Sequence, residues 1–306
     1  MIFQIILNLC YHDLIQHTAL FPLLTKPFYM LTLITTPIGN LNDMSPRAIS
    51  AIEQADILAC EDTRITTKLI SLLGIQTKAK LIPYHDHNGA RMRPQILEAL
   101  EKNLHVGLIS DAGTPLISDP GYKLVREVQE KHLPITATAG ACAPILALIL
   151  SGLPTDRFIF HGFLPDKQKA ATSLLEECRH LSMTSVFFIS PSQLVPHMTL
   201  IASIWGNRQA ALVREITKLH EEVMADPLET LTARLQKAPR PKGEFVLVIG
   251  PPEKQIEFST DDIEELLRRR LETLSVKDAV AEVASLTSSP RKTVYQMALT
   301  LSKDQK

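Results

Sequence analysis

The sequence predicts an α/β protein, with two α/β domains in succession and a small C-terminal helical unit after them. Three observations lead there. From Leu31 onward, apolar runs of strand length alternate with amphipathic stretches of helix length. That alternation gives mostly parallel sheets with helices on their faces. It breaks at Ser151-Gly-Leu-Pro154, which reads as an interdomain turn, and then resumes. After Pro251-Pro252 only helical periodicity remains. The expected divisions are an N-terminal extension over 1–29, domains over 30–150 and 155–252, and a helical unit over 261–306.

Taken in order, Met1–Leu24 is apolar but interrupted by Gln4, Asn8, His12, Asp13, Gln16 and His17. No run reaches the roughly 18 apolar residues of a membrane span, and no basic leader precedes it. It reads as a dispensable extension ahead of a more natural start at Met30. The first domain offers strands at Leu31–Thr35, Ile57–Cys60, Lys80–Tyr84, His105–Ser110 and Pro134–Thr138. Ser45 with Pro46 opens its first helix as N-cap and N1, and Gly74 closes the helix begun at Thr63. The second domain offers strands at Phe158–His161, Ser185–Ile189, Gln209–Val213 and Glu244–Ile249. In the tail, Ile263, Leu266, Leu267, Leu271 and Leu274 recur at helical spacing. So do Val276, Val280 and Val283, and then Val294, Met297 and Leu301. Ser275 and Ser288-Ser289-Pro290 supply the new starts, giving three short helices like a helix-turn-helix.

Composition limits the function. Of the 306 residues 45% are hydrophobic and 21% charged, and the net charge is −1, so any nucleic acid must be held by local basic patches. Cys10, Cys60, Cys142 and Cys178 are scattered without a C-x-x-C, which fits a reducing cytoplasm and small buried side chains. No dinucleotide fingerprint, P-loop or nucleophile elbow occurs. His85 and His87 lack a third ligand at suitable spacing, so no metal is expected.

In open parallel sheets ligands bind beyond the carboxyl ends of the strands. Five loops sit there: Thr36–Leu41, Glu61–Arg64, His85–Asn88, Asp111–Gly121 and Ala139–Ala143. Each is rich in Gly, Pro or hydrogen-bonding residues. In the sharpest, Gly113 permits close backbone approach to a ligand, Pro115 stiffens the turn, and Asp111 can accept hydrogen bonds from an ammonium or a ribose hydroxyl.

Together these loops resemble the ribosomal RNA small subunit methyltransferase I family of the tetrapyrrole methylase superfamily. Further matching segments are Gly152-Leu-Pro-x-Asp-Arg-Phe158, Gly162–Pro165, Arg214–Lys218 and Lys242–Glu244. The resemblance runs from Leu31 to the C-terminus. It implies two α/β domains of the tetrapyrrole methylase type, S-adenosylmethionine (SAM) between them, a homodimer, and no membrane. The implied reaction is methylation of a cytidine ribose 2′-hydroxyl in the decoding region of 16S rRNA, within the small ribosomal subunit. By the same resemblance SAM would meet Pro37, Asp111, Gly113, Thr114, Cys142 and Ala143. The chain departs from the family pattern at Ile189–Gln193, Gln168–Ala171, Gly89 and Thr138–Ala141, mostly on the expected RNA side.

Methyl transfer from a sulfonium is an in-line displacement, so alignment and a proton acceptor are what the protein must supply. Glu61, Asp62 and His85 are the candidate bases, and Arg64 and Lys242 the cations for developing charge or a phosphate. Two other readings fit the same residues, a SAM-binding ribosome-assembly factor without activity and a small-molecule methylase.

Overall fold

The computed structural model describes residues 29–237, 242–252, 260–287 and 289–303. Apart from Tyr29, the expected extension lies outside the described residues, as does Cys10. One compact unit runs to Pro251 and a second starts at Pro252.

The first sheet consists of β1 (Leu31–Ile34), β2 (Ile57–Cys60), β3 (Lys80–Pro83), β4 (Val106–Ile109) and β5 (Ile135–Ala137). The order is β3-β2-β4-β1-β5 and every pairing is parallel. Side chains alternate between its faces. Ile34, Leu58, Cys60 and Ile109 pack with α1 (Pro46–Gln54) and α2 (Thr63–Leu72). Leu31, Ala59, Val106 and Leu108 pack with α3 (Gly89–Glu101) and α4 (Tyr122–Glu130). With both faces covered, central β4 is buried at all four residues and reads as a plain apolar run. The start signals act as expected: Ser45 Oγ accepts the Ala48 N–H, and Gly74 takes φ 65° just past α2.

The chain leaves β1 toward β2 on one side and leaves β4 toward β5 on the other, and β1 and β4 are neighbours. Their carboxyl ends therefore flank the switch point, where an open α/β sheet forms a crevice.

The second sheet comprises β6 (Phe158–Phe163), β7 (Thr184–Ile189), β8 (Gln209–Arg214), β9 (Glu222–Pro227) and β10 (Phe245–Ile249), in the order β6-β7-β10-β8-β9. It is mixed, with β10 antiparallel to both neighbours and β9 an antiparallel edge strand beside β8. No strand was expected at β9. One face carries α6 (Gln168–Cys178), α7 (Leu194–Trp205) and α8 (Leu228–Lys237). The other packs on α5 (Ala143–Leu150), with Ile38 and Ile216 joining the same apolar cluster. The helix that follows the last strand of the first sheet thus serves as a layer of the second sheet.

The C-terminal unit is the expected trio, α9 (Thr260–Leu271), α10 (Val276–Thr287) and α11 (Arg291–Lys303), around Leu267, Val280, Val283, Val294 and Ala298. Ser275 caps α10 by accepting the Asp278 N–H at 3.3 Å. Leu274, expected to continue the first helix, falls beyond it and is 37% exposed. No helix among the described residues is long and apolar enough to cross a membrane.

Candidate functional site

Three of the strand-end loops lock together at the switch point. Thr36 and Gly113 exchange backbone hydrogen bonds at 2.9 and 3.1 Å, bridging the ends of β1 and β4. Thr114 Oγ1 donates to the Ala141 carbonyl at 2.8 Å, drawing in the loop after β5. Gly113 holds φ 82°, and a Cβ there would lie 3.1 Å from Ile38 Cγ2, so this stretch must present bare backbone. Pro37, Thr114, Cys142 and Ala143 are half-buried around it. Cys142 sits at the N-cap of α5 and makes no capping bond with its side chain.

Beside this lies a group of carboxylates. Asp111 Oδ1 accepts the Asp62 N–H at 3.0 Å, so Asp111 braces the loop after β2 as well as facing the rim. Burial, reinforced by the charge of Asp111, raises the Glu61 pKa. Asp111 is raised by burial too. Asp119 is pushed up to about 6, first by burial and then by the nearby charge of Glu61. The three carboxyls therefore share one field at the mouth of the sheet, and burial has made each a better proton acceptor than a free carboxylate.

The other candidates separate. Asp62 is occupied: its Oδ1 accepts the Arg64 N–H at 2.8 Å as N-cap of α2, and its Oδ2 pairs with the Arg64 guanidinium at 2.5 Å. Those hydrogen bonds hold its pKa down to about 2, so it is a weak base. Arg64 otherwise projects into solvent. His85 is half-buried, its N–H donates to Asn88 Oδ1, and its Nδ1 is buried with no partner within the protein. His87 stands with its ring 6.0 Å from that of His85, and no group of three or more His, Cys, Asp or Glu poised for a metal occurs among the described residues. Lys242 lies just ahead of β10 of the second sheet: it is exposed, and its carbonyl accepts from Arg214 Nε at 2.9 Å.

The sequence reading passed over three features. Asp119 lay inside the singled-out loop, but its burial against Glu61 comes from the fold. A cavity of about 380 Å³ opens beside it, lined by Tyr84, His85, Arg93, Asp119, Tyr122 and Lys123 among others. At Gly39 the β1 loop meets the loop after β8. A Cβ there would run into the Lys218 side chain and lie 2.9 Å from Thr217 Oγ1, and Lys218 itself bridges Glu215 and Glu244 at 3.1 Å each. In the C-terminal unit, Lys277, Val280, Arg291, Lys292 and Tyr295 line a second hollow of about 360 Å³.

Comparison with known proteins adds to this geometry. The family model of the tetrapyrrole (corrin/porphyrin) methylases matches residues 30–232, and that of the RsmI C-terminal HTH domain matches residues 257–302. A protein of Erythrobacter litoralis named ribosomal RNA small subunit methyltransferase I is 45% identical over 271 residues, 89% of this chain and 95% of the relative. Proteins with the same name from Mesorhizobium japonicum and Synechocystis are each 39% identical, over 89% and 90% of this chain and 92% and 99% of their own. Among solved structures, a diphthine synthase aligns over 72% of this chain and 90% of its own with TM-score 0.57 at 17% identity. The methyltransferase CobJ aligns over 73% and 94% with TM-score 0.54 at 15% identity. These structures share the fold.

Proposed function

The chain belongs to the tetrapyrrole methylases, in the line of the ribosomal RNA small subunit methyltransferases I, and from that premise we propose that it transfers a methyl group from SAM to a cytidine ribose 2′-hydroxyl of 16S rRNA. The observation that carries the reading is the juxtaposition at the switch point of a bare-backbone cradle at Gly113 and the half-buried carboxylates of Glu61, Asp111 and Asp119.

The residues present fit the cofactor. Gly113 keeps open the space a side chain would fill, Pro37, Thr114, Cys142 and Ala143 surround it, and Asp111 offers a carboxylate to an ammonium. Bound there, SAM supplies an electrophilic methyl group on a sulfonium. The protein's part is to align the hydroxyl with that methyl, exclude water, and take the proton as the O–C bond forms. Glu61 is the base in this scheme, because burial raises its proton affinity while Asp62 is committed to capping α2. His85 stands beside Glu61, and its charge, when present, favours the ionised carboxylate. Arg64 and Lys242, both exposed, serve as phosphate contacts rather than proton acceptors. The enzyme works in this reading as a cytoplasmic homodimer on the small ribosomal subunit, and light scattering checks the dimer.

The test is mass spectrometry of 16S rRNA after small subunits lacking the modification are incubated with the chain and SAM. One new 2′-O-methylcytidine is expected, and Glu61→Gln should slow its appearance by about 100-fold or more. Wild-type protein that leaves the rRNA unmodified would select the assembly-factor reading. The match of the C-terminal residues to the HTH domain model favours ribosomal RNA over a small-molecule substrate.

A further inference from the structure

The cavity next to the carboxylate group shares His85 and Asp119 with it, and the proton transfer just described leaves the rest of its wall unassigned. Its volume of about 380 Å³ falls at the small end of ligand sites, which span roughly 300–1,000 Å³, and suits a single nucleoside. Its wall combines an aromatic face with both hydrogen-bonding polarities. Tyr122 stands at the lining with 66% of its surface exposed. Arg93 and Lys123 bring donors, and Asp119 and Asp86 bring acceptors. Arg93 is fixed by an ion pair to Glu127 at 2.5 Å, so its fork is held in place.

We infer that this cavity receives the flipped-out base of the nucleotide being methylated, a pyrimidine with an exocyclic amine, whose amine donates to Asp119, whose carbonyl edge accepts from Arg93 or Lys123, and whose face lies on Tyr122. The inference rests on the methyl-transfer reading above and extends it to substrate choice. Single-stranded RNA is read in this manner, by stacking on aromatic rings and hydrogen bonding to exposed base edges. Cytosine pairs its donor with the carboxylate and its acceptors with the cations, whereas uracil would turn an oxygen toward Asp119. The position agrees with the chemistry. Asp119 lies in the Asp111–Gly121 loop at the carboxyl end of β4, and the charge of Glu61 at the end of neighbouring β2 reaches it, so a base seated on Asp119 sits on the same rim as Glu61.

The experiment uses the full chain and adenosine hexanucleotides carrying one 5-iodocytidine or one 5-iodouridine. Ultraviolet light joins a halogenated pyrimidine to an aromatic ring stacked on it, and mass spectrometry maps the product. The expected crosslink is to Tyr122, with a yield for iodocytidine about threefold or more above iodouridine. Asp119→Asn should bring that ratio close to one while calorimetric SAM affinity stays within about twofold of wild type. Equal yields in the wild type, or crosslinks only at other aromatic residues such as Tyr295, overturn the inference. So does a SAM affinity that falls about tenfold in Asp119→Asn, because the cavity would then belong to the cofactor. Crosslinking needs no turnover. A Tyr122 crosslink in a protein that methylates no rRNA would therefore sink the methyl-transfer reading and leave the base pocket standing, and methylation without the crosslink would do the reverse.

Discussion

Asp119 shows how one residue can be plain in the sequence and hidden in its consequences. The loop Asp111–Gly121 announces itself through its glycines and prolines, and its place after a buried strand marks it as a ligand loop. The loop takes left-handed turns at Leu116 (φ 73°) and Ser118 (φ 66°), and local sequence dictates neither those nor the reach of the Glu61 charge to Asp119. The result is a carboxyl with a pKa of about 6 against an ordinary 3.8. Between those values the folded state binds the proton more tightly than the unfolded state. Asp119 therefore favours folding fully below the ordinary value, and that contribution is lost as pH rises through about 6. Asp119→Asn removes the charge and should stabilise the fold at pH 7.5 by on the order of 1 kcal/mol once solvent screening is allowed for, read as a higher melting temperature. The advantage should disappear below about pH 4. Thermal scans at the two pH values check it, and a variant no more stable at neutral pH would show that Asp119 ionises freely in the folded protein.

At the scale of elements, the end of β2 and the start of α2 divide two neighbouring acids between two tasks. Glu61 is the first residue past a buried strand, and Asp62 is the N-cap of the helix that follows. The motif Glu61-Asp-Thr-Arg64 named both acids as bases, because spacing alone does not say which carboxylate the helix will claim. Asparagine caps a helix about as well as aspartate. Asp62→Asn should accordingly keep the melting temperature and lose far less methyl transfer than Glu61→Gln. Parallel single-turnover rates on both variants decide between them, and equal losses would return Asp62 to the catalytic group. Strand β9 was illegible for a different reason. Glu222-Val-Met-Ala-Asp-Pro227 is an edge strand that opens on an exposed acid and an exposed valine, and only Met224 packs against the core. What makes it a strand is pairing with β8 in register, from Arg214 opposite Glu222 to Gln209 opposite Pro227. Where burial is two-sided, as in β4 and β10, an apolar run was enough to reveal the strand.

At the scale of the molecule, the alternation of strand and helix was legible, but the packing of α5 on the second sheet rather than the first was not. Ala143–Leu150 is apolar nearly all round, with Ala147 and Leu148 buried against Val186, Val213 and Val248. Its opposite side leaves Ile145, Ile149 and Leu150 exposed, so only one side of this apolar helix is covered, and that side lies on the second sheet. The C-terminal unit kept its own periodicity and its own core, so its three helices were visible in advance. It carries two basic clusters, Arg268-Arg269-Arg270 and Arg291-Lys292, and the structure distinguishes them. Arg269 pairs with Glu265, and Arg270 with Glu282 at 3.0 Å, so these charges are largely answered within the unit. Lys277, Arg291 and Lys292 instead line one hollow with the half-exposed Tyr295, the combination of cations and an aromatic ring that a nucleic-acid strand uses. Replacing these three cations with alanine in the full chain should leave SAM affinity and melting temperature near wild type while weakening binding to small ribosomal subunits. Each phosphate contact on a single strand contributes roughly 0.7 to the slope of log affinity against log salt, so the slope should fall by about 2. The paired cluster gives the control: Arg269→Ala with Arg270→Ala should change the slope by less than about half as much. Equal slopes for wild type and the triple variant across a salt series would remove the hollow from RNA binding and leave the unit a structural appendage.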